Sequence, residues 1–224
     1  FCAGRGGQYP CAFLKDWTGT LVVDAYSGYD AVLSLHGRST AYCLAHARRK
    51  FDELLKANAS VVAGQAIQRI AWLYRIEADA KALSAEQRLQ MRQERSKPLW
   101  EEMHVWLQLE RTRVPDGSAI AKAIDYSLNH WVGLGRFLRD GDVPIDNNHV
   151  ENRIRPWALG RRNWLFIGSQ LAGERAAVVM SLVQSAKLNG HEPWAYLKDV
   201  LTRLPMQLNS RIEELLPHRW QPAG

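Results

Sequence analysis

The sequence predicts an α/β fold in which helix outweighs strand. Two short β-branched or apolar runs lie in the first 45 residues, Thr20-Leu21-Val22-Val23-Asp24 and Thr40-Ala41-Tyr42-Cys43-Leu44. A long stretch from about Ala63 to Leu138 follows at helical spacing, and further amphipathic segments occur after Asp146. At 224 residues and 46% hydrophobic content the chain can bury a full core. No apolar run approaches the roughly 18 residues of a membrane span, and no secretory signal opens the chain. Cys2, Cys11 and Cys43 have no paired C-x-x-C spacing, so neither a disulfide framework nor a four-cysteine zinc site is expected. The chain opens on Phe1, which reads as a truncation, and a cytoplasmic location is expected.

Residues 1–19, with Gly4, Gly6, Gly7, Pro10 and Gly19, favour turns. The run ending at Asp24 reads as a buried strand that delivers a carboxylate at its end. Ser27-Gly28 breaks the chain, and the second strand feeds a helix over 45–55 with Ala47, Phe51, Leu54 and Leu55 on its apolar side. Three or four helices then follow, with breaks near Ser84, Pro98 and Val114-Pro115-Asp116-Gly117. Asp146 stands where an N-cap would precede a helix through Val150, Glu151 and Ile154, and Pro156 makes that helix short or kinked. Trp164-Leu165-Phe166-Ile167 reads as a strand or buried loop. Helices over 174–188 and 193–204 follow, the first stopped by Asn189-Gly190 and the second opened by Pro193.

The net charge is +6 and the excess is local. Residues 36–56 carry Arg38, Arg48, Arg49, Lys50 and Lys56 against two acids, and residues 147–175 carry Arg153, Arg155, Arg161, Arg162 and Arg175 against two more. The helical middle is close to neutral. This pattern suits a polyanionic partner, and a solvated face explains the same residues equally well. Arg48, Arg49 and Lys50 occupy consecutive helical positions about 100° apart, so they cannot all face one way. Arg161-Arg162-Asn163-Trp164 mixes cations with an aromatic ring, fit for phosphate contact and stacking, while Trp157 and Trp164 are equally at home in a core. Cys43-x-x-His46 with His36 invites a zinc reading but lacks a fourth ligand. His149 reads as a helix-surface histidine or an electrostatic aid to Glu151.

Asp24 after a strand and Glu151 in the first turns of a late helix form a candidate pair of oxygen ligands for Mg²⁺ or Mn²⁺, although a turn-forming aspartate and a helix-favouring glutamate have the same appearance. Around these two residues the blocks Asp24-Ala25-Tyr26-Ser27-Gly28-Tyr29, Cys43-Leu44-Ala45-His46-Ala47-Arg48-Arg49-Lys50-Phe51 and Ile145-Asp146-Asn147-Asn148-His149-Val150-Glu151 resemble those of the insertion-sequence 66 family transposases. Ile154 to Phe166, Gly173 to Ala177, Lys187 to Gly190 and Glu213 to Pro217 continue the resemblance along nearly the whole chain.

That resemblance implies an RNase H-like core with a mixed sheet, incomplete at its N-terminus, and a large all-α insertion. The corresponding divisions are 1–62 and 141–190 for the core, 63–140 for the insertion and 191–224 for a helical tail. It implies metal-dependent DNA strand cleavage and strand transfer by a DDE triad, with transposon ends and target DNA as partners. A homo-oligomer is compatible with this reading and a membrane partner is not. Asp24 matches the second acid and Glu151 the third, as catalytic and metal-binding residues, while Arg48, Arg49, Lys50, Arg153, Arg155, Arg161 and Arg162 are the candidate DNA contacts. The first acid has no good counterpart, Asp16 being the sole carboxylate ahead of Asp24. Asn152 departs from the arginine that usually follows the glutamate. The bare chain is therefore expected to be inactive, and the alternative reading is a non-catalytic DNA-binding or regulatory remnant.

Overall fold

The computed structural model describes residues 2, 4, 6–164 and 168–222, and for residues 161–164 it describes the backbone alone. Helix dominates, and the described strands are β1 (Gly19–Val23) and β2 (Arg38–Tyr42). They pair in parallel with Gly19 opposite Arg38 and Val23 opposite Tyr42. A parallel pair needs a crossover, and the 3-10 turn Ser27–Tyr29 leading into a short helix, Asp30–Leu33, supplies it. The expected mixed sheet is thus parallel over the described residues. A strand or buried loop was expected in the run 164–167; Trp164 ends a helix, and residues 165–167 lie outside the described residues.

The glycine-rich opening contains a helix, α1 (Gln8–Leu14), where turns were expected. Pro10 sits in its first turn, where a missing N–H breaks no intrahelical bond. The Asp30–Leu33 crossover helix is α2. After β2, α3 (Leu44–Asn58) buries Leu44, Ala47 and Phe51, while Leu55 falls at the edge of the stripe and is exposed. Ala59, in the left-handed region, ends it, and the Ser60 hydroxyl accepts from Ala63 N–H to start α4 (Val61–Asp79). Ala63, Ala66, Ile70, Leu73 and Ile76 form the buried stripe of α4.

A capping box between Ser84 and Gln87 opens α5 (Ala85–Met91). The expected break near Pro98 is absent. The chain passes through a π-turn at Arg92–Ser96 directly into α6 (Lys97–Arg113), with Pro98 just after the π-turn. Then come α7 (Ala119–Asn129), capped by Ser118, the short α8 (Trp131–Leu134) and a 3-10 turn at Arg136–Arg139. α9 (Asn148–Trp164) continues past Pro156 and is not short, the other of the two outcomes expected there being a kink. Proline there removes one hydrogen bond and faces the carbonyl of Asn152, and both residues are exposed, so water can take that carbonyl. α10 (Gln170–Leu188) starts four residues earlier than the periodicity indicated because the Ser169 hydroxyl caps it. Glu192 caps α11 (Pro193–Arg203), which is followed by 3-10 turns at Leu204–Met206 and Asn209–Leu215.

The chain divides into two compact units, the first of residues 5–151 and the second of residues 152–224 together with 1–4. In the first, one hydrophobic cluster joins Ala41, Leu44 and Phe51 to Ile70, Leu73, Trp100, Leu107, Ile124 and Phe137, so the helical stretch and the β2–α3 segment share a core. The second unit has its own cluster of Ala186, Tyr196, Val200, Leu215 and Trp220. No described helix is long and apolar enough to cross a membrane.

Candidate active site

The site is built where β1 and β2 end. Asp24 follows β1 directly and is exposed, and Ala25 turns the backbone with φ +64, a left-handed value that a non-glycine residue adopts at a cost. One Asp24 oxygen, Oδ1, accepts the Tyr26 N–H at 3.2 Å. Beside it, the Val23 carbonyl accepts the N–H of Cys43, the residue between β2 and α3 that stands at the N-cap of α3.

The segment before α9 docks on that junction. Leu44 N–H donates to the Ile145 carbonyl at 3.1 Å, and Asn147 N–H donates to Cys43 Sγ at 3.4 Å. Burial pushes the Cys43 thiol pKa up. Asp146 holds the segment from the other side: its carboxylate accepts Asn148 N–H (3.0 Å), Asn148 Nδ2 (2.7 Å) and the Tyr74 hydroxyl (2.7 Å). Asn147 is the residue whose carbonyl receives the first helical N–H groups of α9, so Asp146 acts one position outside the cap it was expected to be. Glu151, in the first turn of α9, meets the first turns of α3: Oε1 lies 3.3 Å from His46 Nε2 and Oε2 4.0 Å from Arg49 Nη2.

The remaining candidates scatter as helical geometry requires. Arg49 reaches Glu151, Lys50 lies with Nζ 4.5 Å above the Tyr126 ring, and Arg48 is half-buried. On α9, Arg153 is half-buried and Arg155 exposed, and His149 is exposed. The side chains of Arg161 and Arg162, and of Trp164, lie outside the described residues. Arg38, part of the basic segment 36–56, is occupied elsewhere, donating to the carbonyls of Trp17 (2.7 Å), Val32 (3.2 Å) and Lys15. Asp16 precedes β1 and Asp24 follows it, so about 16 Å of strand separates their ends of the sheet. The contacts of Glu151 with His46 and of Asp146 with Tyr74 were not readable from the sequence, because each joins segments more than 70 positions apart.

Among the described residues no group of three or more His, Cys, Asp or Glu is placed to hold a metal ion. Asp24 and Glu151 are nevertheless the right kind of donor for a hard divalent cation, being carboxylates, and Asp24 is exposed at the end of β1. Cys43 and His46 belong to no group of three or more possible metal donors among the described residues, the thiol accepting from Asn147 N–H and the imidazole Nε2 facing Glu151.

Comparison with known proteins agrees with this arrangement of blocks. The model of the Transposase IS66 family matches residues 1–175, and that of the IS66 C-terminal element matches residues 181–218. The uncharacterized protein y4hP of Sinorhizobium fredii is 40% identical over 98% of this chain and 43% of its own length. The uncharacterized protein y4jD of the same organism is 39% identical over 99% of this chain and 45% of its own. The chain therefore spans less than half the length of these curated relatives. No solved structure matches it. With a family model covering most of its length, the chain belongs to the IS66 family of transposases.

Proposed function

We propose that this chain is the catalytic-core portion of a DNA transposase that cuts at insertion-sequence ends and joins them to target DNA, with Asp24 and Glu151 as two carboxylates of the active centre. The observation that supports this reading is the docking of the α9 start on the Cys43-Leu44 junction, where Cys43 N–H also reaches the Val23 carbonyl of β1, with the first-turn Glu151 against His46 of α3. Residues 1–62 and 141–190 are then the RNase H-like core, 63–140 its helical insertion and 191–224 a tail. Bound Mg²⁺ or Mn²⁺ would supply activation of the attacking oxygen and stabilisation of the leaving one. The contribution of this chain is to place two carboxylates, and the remaining donors would come from outside the described residues. Arg48, Arg49, Lys50, Arg153, Arg155, Arg161 and Arg162 are the proposed phosphate contacts. The activity, the partners and a location at the bacterial nucleoid are those of the whole protein.

The test is cleavage by the full-length protein of DNA bearing its element's ends. Asp24→Ala and Glu151→Gln should each lower the rate by more than the roughly 10–100-fold typical of outer-shell changes, with DNA binding retained. Parental rates in both variants would remove the assignment. The lack of a three-donor cluster among the described residues favours a second reading, a DNA-binding remnant without catalysis. Full-length protein that binds the ends but never cuts them would support it.

A further inference from the structure

A glutamate in the first turn of a helix ordinarily swings freely over solvent, and Glu151, with 38% of its side chain exposed, has room to do so. Two residues of α3 oppose that motion, His46 and Arg49, which stand three positions apart and so share a helix face. Each lies near one carboxylate oxygen. Arg49 is 57% exposed and 4.0 Å away, so water screens most of its pull. His46 is 18% exposed and 3.3 Å away, and Glu151 is the one polar partner of its ring among the described residues.

The other ring nitrogen decides what kind of residue His46 is. Nδ1 is buried and has no hydrogen-bond partner among the described residues, a cost that an apolar side chain of similar size would not carry. A ring kept only for packing would be better replaced by leucine. A ring that donates through Nε2 leaves Nδ1 with its lone pair, the less costly of the two ways to bury it unpaired. We infer that His46 is a positioning residue for Glu151, its Nε2–H held against Oε1 to fix the carboxylate for a divalent cation. This rests on the reading of Glu151 as a catalytic carboxylate.

The test exploits side-chain length, since a glutamine amide nitrogen stands about where Nε2 stands and an asparagine amide nitrogen about where Nδ1 stands. Full-length protein carrying His46→Leu, His46→Asn, His46→Gln or Glu151→Gln is compared in three measurements. These are Mn²⁺ binding, followed by loss of the free-ion electron paramagnetic resonance signal, cleavage at the element's ends, and DNA affinity. His46→Leu and His46→Asn should weaken Mn²⁺ binding and cleavage about 10–100-fold, with DNA affinity unchanged, while His46→Gln should return both to within a few-fold of the parent. The proposal is overturned if His46→Leu matches the parent in Mn²⁺ binding, or if folded His46→Gln is as impaired as His46→Asn. Should His46→Leu fail to fold, the comparison of glutamine with asparagine still decides. Parental Mn²⁺ binding and cleavage in Glu151→Gln would instead show that the carboxylate assignment itself is wrong.

Discussion

Tyr74 sits half-buried on α4, and its hydroxyl donates to Asp146 at 2.7 Å, just ahead of the helix that carries Glu151. Burial first, and then the neighbouring carboxylate, push its pKa well above the usual tyrosine value. The sign of the linkage follows. A raised folded-state pKa means that the native state holds the proton longer, so this contribution is whole below about pH 10 and is lost as pH rises above it. Tyr74→Phe should therefore cost about 1.5–3 kcal/mol near neutral pH, the range for a hydrogen bond to a charged group, and should flatten the alkaline loss of stability. Urea titrations of parent and variant at pH 7.5 and pH 10.5 measure both effects. An unchanged alkaline slope would mean that the Tyr74–Asp146 bond does not control it. Because Asp146 also receives two donors from Asn148, the same variant should loosen the start of α9, and slower cleavage by the full-length protein would report that.

One arginine ties several elements together. Arg92, 1% exposed in the π-turn between α5 and α6, donates to both oxygens of Glu77 on α4 at 2.8 and 2.6 Å. Its Nη1 also donates to the carbonyls of Phe137, Asp140 and Val143. Those carbonyls belong to the strap that runs on to Ile145 and the docked start of α9. A π-turn shifts the register of a helix by one residue, which fits its frequent use where a particular side chain must be aimed. Removing Arg92 would strand a carboxylate and several carbonyls out of water. Arg92→Leu should cost about 3–5 kcal/mol, and Arg92→Lys should also destabilise, because an ammonium cannot reproduce the planar fork. Chemical denaturation of the first unit followed by tryptophan fluorescence checks this. A loss below about 1 kcal/mol for Arg92→Leu would show that the strap is held by its apolar residues, Val143 and Ile145, instead.

Across the whole molecule, the net charge of +6 makes DNA affinity the property most open to measurement. Each phosphate contact contributes about 0.9 to the slope of log affinity against log salt on duplex DNA. If Arg161 and Arg162 both contact phosphate, replacing them together by alanine should reduce that slope by about 1.8 in the full-length protein. An unchanged slope would move the contact surface to Arg48, Arg49 and Lys50 or to Arg153 and Arg155. Arg38 should have no effect on the slope, since its guanidinium is already bound to backbone carbonyls.

By itself the sequence determined the parts with short-range causes. The strand β1, read as residues 20–24 and found at Gly19–Val23, the apolar stripe of α4, the stop at Asn189-Gly190 and the proline start of α11 all follow from patterns within one turn or one strand. The motif blocks and their order were equally legible, and with them the family. Local signals failed where a neighbour overrode them. Gly6 and Gly7 concealed α1, Ser169 extended α10, the π-turn carried α5 into α6, and solvent exposure let α9 pass through Pro156. Only the tertiary structure decided which cations remain free, which side of α3 meets Glu151 and what holds Asp146. Periodicity specifies the face a residue occupies on its own element, but Cys43 meets Asn147, and His46 meets Glu151, across more than 100 positions. Those meetings depend on how a shared hydrophobic core brings β2, α3 and the 143–147 strap together.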